Sequence, residues 1–104
     1  MARDVVDEIQ REVAANRILI YMKGTKDFPQ CGFSARAAGI LSELGVPFKD
    51  VDILADPEKL QAIRVFSNWP TTPQIYIGGK FIGGGDQLRE LAAPGELRKL
   101  VDGV

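Results

Sequence analysis

Cys31 is the residue of this sequence best suited to do chemistry. It is the one cysteine of the chain and stands in the tetrapeptide Cys31-Gly32-Phe33-Ser34, where a predicted loop meets a predicted helix. A sulfur at the first turn of a helix faces unpaired backbone N–H groups and the positive end of the helix dipole. Both favour the thiolate, which is the form that attacks disulfides and binds metals. We therefore predict that Cys31 is a catalytic nucleophile or a metal ligand.

The chain offers this thiol no internal partner, because it has no second cysteine and no histidine. Ser34 stands where a Cys-x-x-Cys redox motif would have its resolving cysteine, and a hydroxyl cannot close a disulfide. We expect Ser34 to cap the helix or to hydrogen-bond the Cys31 sulfur. Any second sulfur or further metal ligand must come from outside the polypeptide.

Length and composition narrow the class of protein. A chain of 104 residues predicts a single domain over residues 1–104, and 45% hydrophobic with 26% charged residues is typical of a globular protein. The net charge of -1 argues against nucleic-acid binding, and the short apolar runs argue against a membrane span. A single cysteine fits a reducing compartment, and the N-terminus lacks the pattern of a secretory signal. We expect a cytoplasmic protein, or an organellar matrix protein if a transit segment has been removed.

The elements that must position Cys31 follow from the apolar pattern. In order, they are a helix from Asp4 to about Asn16, a strand at 18–22, a helix from Gly32 that ends at Gly45, a strand at 48–53, a helix capped by Asp56, a hairpin of 74–77 and 80–82, and two helices separated by Pro94-Gly95. The first strand, the second helix and the second strand form a βαβ unit with parallel strands. The pattern predicts an α/β fold: a four-stranded mixed sheet with helices on both faces.

Four further residues have alternative interpretations at this stage. Lys23 follows the first strand, at the sheet edge where open α/β sheets place ligands, although a lone lysine is usually a solvated surface residue. Asp86 is predicted to cap a helix. Phe33 is either a core residue or an apolar lip beside the thiol. Trp69 is expected to pack in the core or its loop, not to contact a ligand.

Several motifs together resemble one family. They are Cys31-Gly32-Phe33-Ser34, Trp69-Pro70-Thr71-Thr72-Pro73-Gln74, Gly83-Gly84-Gly85-Asp86 and Lys23-Gly24-Thr25. In order and spacing, over essentially the whole chain, they closely resemble the monothiol glutaredoxins of the CGFS type. The resemblance implies a thioredoxin-like fold, glutathione binding and a labile [2Fe–2S] cluster carried between two protomers.

The resemblance also implies roles for particular residues. Its glutathione-binding positions match Lys23, Phe33, Thr72, Pro73, Gly85 and Asp86. Lys23 would bind the glycine carboxylate and stabilise the thiolate. Pro73 would be cis and face the cysteine, and the N–H and C=O of Thr72 would pair with the cysteinyl part like an added strand. The helix start at Gly85 and Asp86 would hold the γ-glutamyl group.

Two positions depart from the family pattern. Many relatives have a cysteine where this chain has Gly85, and many have an arginine on the third helix where it has Leu60. That arginine helps to clamp the glutathione carboxylate. Lys59 and Arg64 are the nearby cations that could substitute, and neither stands at the matching position.

Two functions are compatible with these motifs. A [2Fe–2S] cluster needs four terminal ligands, so two Cys31 thiolates and two glutathione molecules would complete one shared site. This predicts a homodimeric cluster carrier that serves iron–sulfur recipient or regulatory proteins. The alternative is a thiol–disulfide oxidoreductase that removes glutathione from mixed disulfides by a monothiol mechanism. The loop Gly24 to Gln30 favours the carrier, because in similar proteins a long loop here accompanies weak reductase activity and good cluster binding.

Overall fold

The computed structural model describes residues 3–104, which form four strands and five helices. The strands are β1 Ile18–Met22, β2 Lys49–Asp52, β3 Gln74–Ile77 and β4 Lys80–Gly83. The helices are α1 Val5–Ala15, α2 Gly32–Glu43, α3 Pro57–Ser67, α4 Gly85–Ala92 and α5 Glu96–Asp102. Each predicted element is present, and the boundaries differ by one residue or two. Among the described residues no helix is long and apolar enough to cross a membrane.

The strands form one mixed sheet in the order β2-β1-β3-β4. β1 runs parallel to β2, with Leu19 opposite Lys49, and antiparallel to β3, with Leu19 opposite Tyr76. β3 and β4 form the predicted antiparallel hairpin around Gly78-Gly79. β1 therefore lies inside the sheet, and all five of its residues are buried. This confirms both the βαβ unit and the interpretation of 18–22 as a fully buried strand.

Helices cover both faces of the sheet, as the sequence predicts. Ile18, Ile20 and Met22 point to a core that includes buried residues of α2, α4 and α5. Leu19 and Tyr21 point to the opposite core, which includes buried residues of α1 and α3. The alternation follows from the two-residue period of a strand. The result is a three-layer α/β fold in which the carboxyl end of β1 leads directly to the loop before Cys31.

Capping residues determine where three of the helices begin or end. The Asp4 carboxylate accepts a hydrogen bond from the N–H of Asp7 at 3.0 Å, and that of Asp56 accepts from Lys59 at 3.1 Å. Both are the predicted N-caps. Gly45 follows the C-cap of α2 with φ +69°, a left-handed conformation that glycine adopts without steric cost.

Candidate active-site cysteine and adjoining groove

Cys31 is the N-cap residue of α2. Its backbone is extended, with φ -152° and ψ 136°, and its carbonyl accepts the first helical hydrogen bond from Ala35 at 2.9 Å. The side chain is a free thiol of intermediate exposure. The sulfur is therefore placed where the helix presents its unpaired N–H groups, as the sequence predicts.

The surroundings of the sulfur stabilise its charged form. The thiol makes no full capping hydrogen bond, but the backbone N–H groups of Ser34 and then Phe33 contribute most to lowering the pKa of Cys31. The positive charge of Lys23 and the Ser34 hydroxyl lower it further, and partial desolvation opposes them. Cys31 is therefore more thiolate near neutral pH than an ordinary cysteine.

Ser34 has a different role from the predicted cap. It is fully buried, and its hydroxyl accepts a hydrogen bond from the backbone N–H of Lys23 at 3.1 Å. The prediction that it caps α2 is wrong, since Cys31 is the N-cap and Ser34 lies within the first turn. The other expectation, that it supports the Cys31 sulfur, is consistent with the effect of its hydroxyl on the thiol pKa.

The loop from Gly24 to Gln30 folds back on its own start. Gly24 has φ +86°, and a Cβ there would lie 2.5 Å from the carbonyl oxygen of Phe28. The N–H of Gln30 donates to the carbonyl of Lys23 at 2.9 Å, which closes the loop just before Cys31. Phe28 is 76% exposed at its tip. Only glycine fits the start of this loop, because both the conformation and the close backbone approach exclude a side chain.

A groove of about 690 Å³ runs between α2, the loop before β3 and the start of α4, and it begins at Phe33, two residues after Cys31. Its lining includes five of the six predicted glutathione positions, namely Phe33, Thr72, Pro73, Gly85 and Asp86. Lys23 and Cys31 are not among the lining residues. Lys23 follows β1, and its carbonyl accepts from the N–H of Gln30, the residue before Cys31, so the two residues lie beside each other and the charge of Lys23 lowers the pKa of the thiol. The fold therefore gathers the predicted residues into a groove and an adjacent thiol.

Thr72 and Pro73 are joined by a cis peptide bond, as the resemblance implies. The segment before them is held by Gln74, whose buried side-chain amide donates to the carbonyls of Trp69 at 2.9 Å and Thr71 at 3.2 Å. This role of Gln74 was not predicted from the sequence. A polar residue among the apolar residues of a buried strand was the available signal, because such a group must find hydrogen-bond partners.

The start of α4 corrects the prediction for Asp86. The N-cap is Gly84, and Asp86 lies within the first turn with an exposed side chain. The N–H of Gly84 donates to the Gln87 side-chain oxygen at 2.9 Å, so Gln87 fixes the helix start. Asp86 pairs with Arg89 at 3.4 Å on the surface. The cap falls two residues earlier than predicted, because the extended Gly84 directly follows β4 and leads the chain into the helix.

The two aromatic residues of the groove differ in exposure. Phe33 is 65% exposed and has the guanidinium of Arg36 4.8 Å above its ring centre, so it is the apolar lip and not a core residue. Trp69 packs edge-to-face on Phe81 at 5.6 Å, as expected of a packing residue, and it also lines the groove. Its indole N–H is buried without a hydrogen-bond partner.

The candidate substitutes for the arginine that Leu60 replaces lie outside the groove lining. Lys59 is buried and its ammonium pairs with Glu12 at 2.9 Å, on the α1 side of the fold. Leu60 packs against the core between α1 and α3. Neither Lys59 nor Arg64 lines the groove. No cation of α3 therefore stands among the residues that form the groove.

A metal ion would find few ligands within one copy of this chain. Among residues 3–104 no three histidine, cysteine, aspartate or glutamate side chains lie close enough to hold a metal ion. Cys31 alone offers a soft thiolate ligand. A thiolate-bound centre at this position therefore requires ligands from a second molecule.

A three-layer α/β fold, a thiol of lowered pKa at a helix start and a cis proline in the adjoining groove define a thioredoxin-like thiol protein. The glutaredoxin family model matches residues 18–82. A Synechocystis protein named "uncharacterized monothiol glutaredoxin ycf64-like" is 49% identical over 94 residues, which are 90% of this chain and 88% of that protein. Glutaredoxin 4 of Pasteurella multocida is 44% identical over 97% of this chain and 93% of its own length.

The solved structures agree with these relatives. The solution structure of reduced poplar apo GrxS14 is 42% identical and matches with a TM-score of 0.81, over 93% of this chain and 89% of that one. The chain belongs to the glutaredoxin family, as a monothiol glutaredoxin of the CGFS type.

Proposed function

We propose that this protein binds glutathione and carries a labile [2Fe–2S] cluster shared between two protomers, for delivery in iron–sulfur cluster biogenesis and iron homeostasis. The observation that carries the proposal is the solitary thiolate of Cys31, partly exposed beside the groove. Thiolates are the usual ligands of such clusters. The cluster is therefore cargo that one chain cannot hold alone.

The ligand count favours a shared site. A [2Fe–2S] cluster takes four terminal ligands, and this chain has one cysteine and no histidine. Two chains supply two thiolates, and two glutathione molecules supply the other two. Half of the ligands would then be exchangeable small molecules. Such a cluster is easily released, which suits a carrier.

The groove supports glutathione as the second ligand. Its lining combines the half-buried Thr72, in the segment before β3, with the N-terminus of α4 at Gly85 and Asp86. The N–H and C=O of Thr72 would pair with the cysteinyl part of the tripeptide, as an added strand does. Free N–H groups at the helix start would bind the γ-glutamyl carboxylate, and Asp86 its ammonium.

Two other residues would complete the tripeptide site. Lys23 would bind the glycine carboxylate, since its backbone is hydrogen-bonded to Gln30, the residue before Cys31. Phe33 would shield the cysteinyl part as an apolar lip. These assignments follow the family motifs, and the exposure of Phe33 and the proximity of Lys23 to Cys31 support them.

The partners follow from the same chemistry. The cluster-bound form would be a homodimer, and its recipients would be proteins that accept a [2Fe–2S] cluster or regulators that respond to it. Transfer would need the recipient's thiolates to replace glutathione and Cys31 in turn. The cytoplasm, which keeps Cys31 reduced, is the compartment we propose.

Anaerobic reconstitution tests the proposal. Wild type and Cys31→Ser are incubated with Fe²⁺, sulfide and glutathione, and then compared by visible absorption, circular dichroism and size-exclusion chromatography. We expect a cluster in a dimer for wild type with glutathione, and none for Cys31→Ser or without glutathione. Equal uptake by both proteins, or uptake independent of glutathione, overturns the proposal.

A parallel assay separates the alternative function. In the oxidoreductase mechanism the Cys31 thiolate attacks the glutathione sulfur of a mixed disulfide, and the substrate leaves as its thiolate. A second glutathione thiolate then attacks the glutathionylated Cys31, which releases oxidised glutathione and restores the Cys31 thiolate. Fast turnover on a glutathionylated peptide without cluster uptake would support this function instead.

A further inference from the structure

Asp52 joins the end of the second strand to the loop that precedes Cys31. It is the last residue of β2 and pairs with Met22 of β1. Its Oδ1 atom accepts a hydrogen bond from the N–H of Gly24 at 2.9 Å and a second from the N–H of Leu54 at 2.9 Å. The first of these bonds links residues 28 positions apart. It attaches the start of the loop to the sheet.

The residue before Gly24 is Lys23, and its backbone is held from two other sides. Its N–H donates to the buried hydroxyl of Ser34 at 3.1 Å, and its carbonyl accepts from the N–H of Gln30 at 2.9 Å. With Gly24 held by Asp52, three hydrogen bonds determine where the Lys23 backbone lies relative to α2. Gln30 is the residue before Cys31, and Ser34 lies in the first turn of the helix that Cys31 caps, so these bonds place Lys23 beside Cys31.

We propose that Asp52 is a positioning residue, which holds Lys23 beside the Cys31 sulfur by anchoring the backbone N–H of Gly24. The carboxylate does not act on the thiol directly. As a negative charge it would disfavour a thiolate, so any support it gives must pass through Lys23. The inference deepens the proposed function, but it concerns the thiol before any ligand binds.

The two hydrogen bonds of Asp52 have different roles. The bond to Leu54, two residues on, is a local turn of the kind that aspartate, asparagine and serine commonly form. It shapes the chain after β2 and does not reach the loop. Only the bond to Gly24 connects Asp52 with Lys23. A useful variant therefore keeps the local turn and removes the bond to Gly24.

Charge-selective alkylation of Cys31 measures whether Lys23 stays in place. Iodoacetate and iodoacetamide both form an S–C bond with the thiolate and release iodide, but only iodoacetate is an anion. The ratio of their rate constants therefore reports a positive charge near the sulfur. Asp52→Asn and Asp52→Ala remove the same charge, but only asparagine keeps an oxygen to accept the Gly24 N–H. Comparison of these two variants isolates the hydrogen bond from the charge.

We expect the iodoacetate-to-iodoacetamide ratio to be about two- to fivefold lower in Asp52→Ala than in Asp52→Asn, the effect of one unit charge moving away near a protein surface. Asp52→Ser, whose shorter side chain can keep the local turn but not reach Gly24, should match Asp52→Ala. Asp52→Ser takes the place of Asp52→Ala in the comparison with Asp52→Asn if Asp52→Ala does not fold. The proposal is overturned if the iodoacetate-to-iodoacetamide ratio is the same in Asp52→Asn as in Asp52→Ala and Asp52→Ser.

Two controls test whether Asp52 changes the alkylation ratio through Lys23. In a Lys23→Met background the difference between Asp52→Asn and Asp52→Ala should vanish, because no charge is left to position. Asp50 anchors the N–H of Lys26 at 2.8 Å, farther along the same loop, and Asp50→Ala should match Asp50→Asn. A difference that survives without Lys23, or one of equal size at Asp50, overturns the proposal. The assay uses neither glutathione nor iron, so failure of the carrier function would leave its result unchanged.

Discussion

The buried hydroxyl of Ser34 accepts a hydrogen bond from the backbone N–H of Lys23 at 3.1 Å. This bond ties the end of β1 to the first turn of α2 across the whole intervening loop. The same hydroxyl lowers the pKa of Cys31 and so favours the thiolate. One small side chain therefore both holds the cation-bearing segment and supports the thiol.

Ser34→Ala should raise the pKa of Cys31, because it removes the hydroxyl near the sulfur and loosens the hold on Lys23. The thiolate exists above its pKa, so alkylation by iodoacetamide should slow at low and neutral pH and approach the wild-type rate at high pH. The measurement is the pH profile of the rate. Ser42→Ala, an exposed serine on the same helix, is the matched control. Superimposable profiles for Ser34→Ala and wild type would refute this account.

Gln74→Leu should destabilise the fold by about 1–3 kcal/mol, because two partly buried carbonyls lose the amide that donates to them. Gln74→Glu should be worse at pH 7, since a carboxylate would face those same oxygens. Its deficit should shrink as the pH falls and the carboxyl gains a proton that it can donate. Urea unfolding at two pH values measures both effects. Gln61→Glu, on the exposed face of α3, is the control, and a Gln74→Leu protein as stable as wild type contradicts the role.

Gly24→Ala and Gly39→Ala should have opposite effects on stability. At Gly24 the new Cβ would lie 2.5 Å from a backbone oxygen in a left-handed conformation, which costs about 1–3 kcal/mol. At Gly39, inside α2, nothing lies within 4 Å of the new Cβ, and alanine should stabilise the helix by about 1 kcal/mol. Thermal unfolding measures both. Similar melting temperatures for the two variants would contradict the backbone argument.

Asp56 should make stability sensitive to acid. A hydrogen bond from Arg3, aided by the Lys59 N–H, lowers the pKa of Asp56 to about 2, although desolvation opposes this. Since the folded-state pKa lies below the unfolded value of about 4, its contribution is full above pH 4 and is lost towards pH 2. Asp56→Ala should cost about 1 kcal/mol at pH 7 through the lost cap.

Urea unfolding at pH 7, 4 and 2.5 checks this dependence. The difference between wild type and Asp56→Asn should narrow as the pH falls, because asparagine can still cap but carries no charge. Asp102→Asn, at the exposed end of α5, serves as control. A difference that stays constant over the whole range would show that the pairing with Arg3 adds nothing.

The secondary structure was predictable because local patterns decide it. β1 is a run of five apolar residues that leaves no polar face for water, and the structure buries every one of them. Asp4 and Asp56 are short side chains placed to accept the free N–H groups of the next turn. The α4 cap was predicted at Asp86 by the same rule, but Gly84 is the cap because Gln87 satisfies its N–H from the third position.

Three polar residues of the site had no local signal for their partners. Ser34, Asp52 and Gln74 form hydrogen bonds to backbone groups outside their own turn or strand. The Ser34 and Asp52 bonds cross 11 and 28 residues. Which backbone group a buried side chain meets depends on how the strands are aligned and how α2 packs on the sheet. The periodicity of the sequence predicts whether such a side chain faces the core, but it does not predict which backbone group the side chain hydrogen-bonds.

The sequence by itself determined that this chain has one thiol, that the thiol begins a helix, and that no resolving cysteine or histidine can assist it. Composition and spacing suffice for these points, because they need no knowledge of distant contacts. The tertiary structure decided the rest. Strand pairing brings the end of β2 to the start of the loop, so Asp52 reaches Gly24. Packing of α2 on the sheet brings the Ser34 hydroxyl within 3.1 Å of the Lys23 N–H, and the Lys23 charge and the Ser34 hydroxyl both lower the pKa of Cys31.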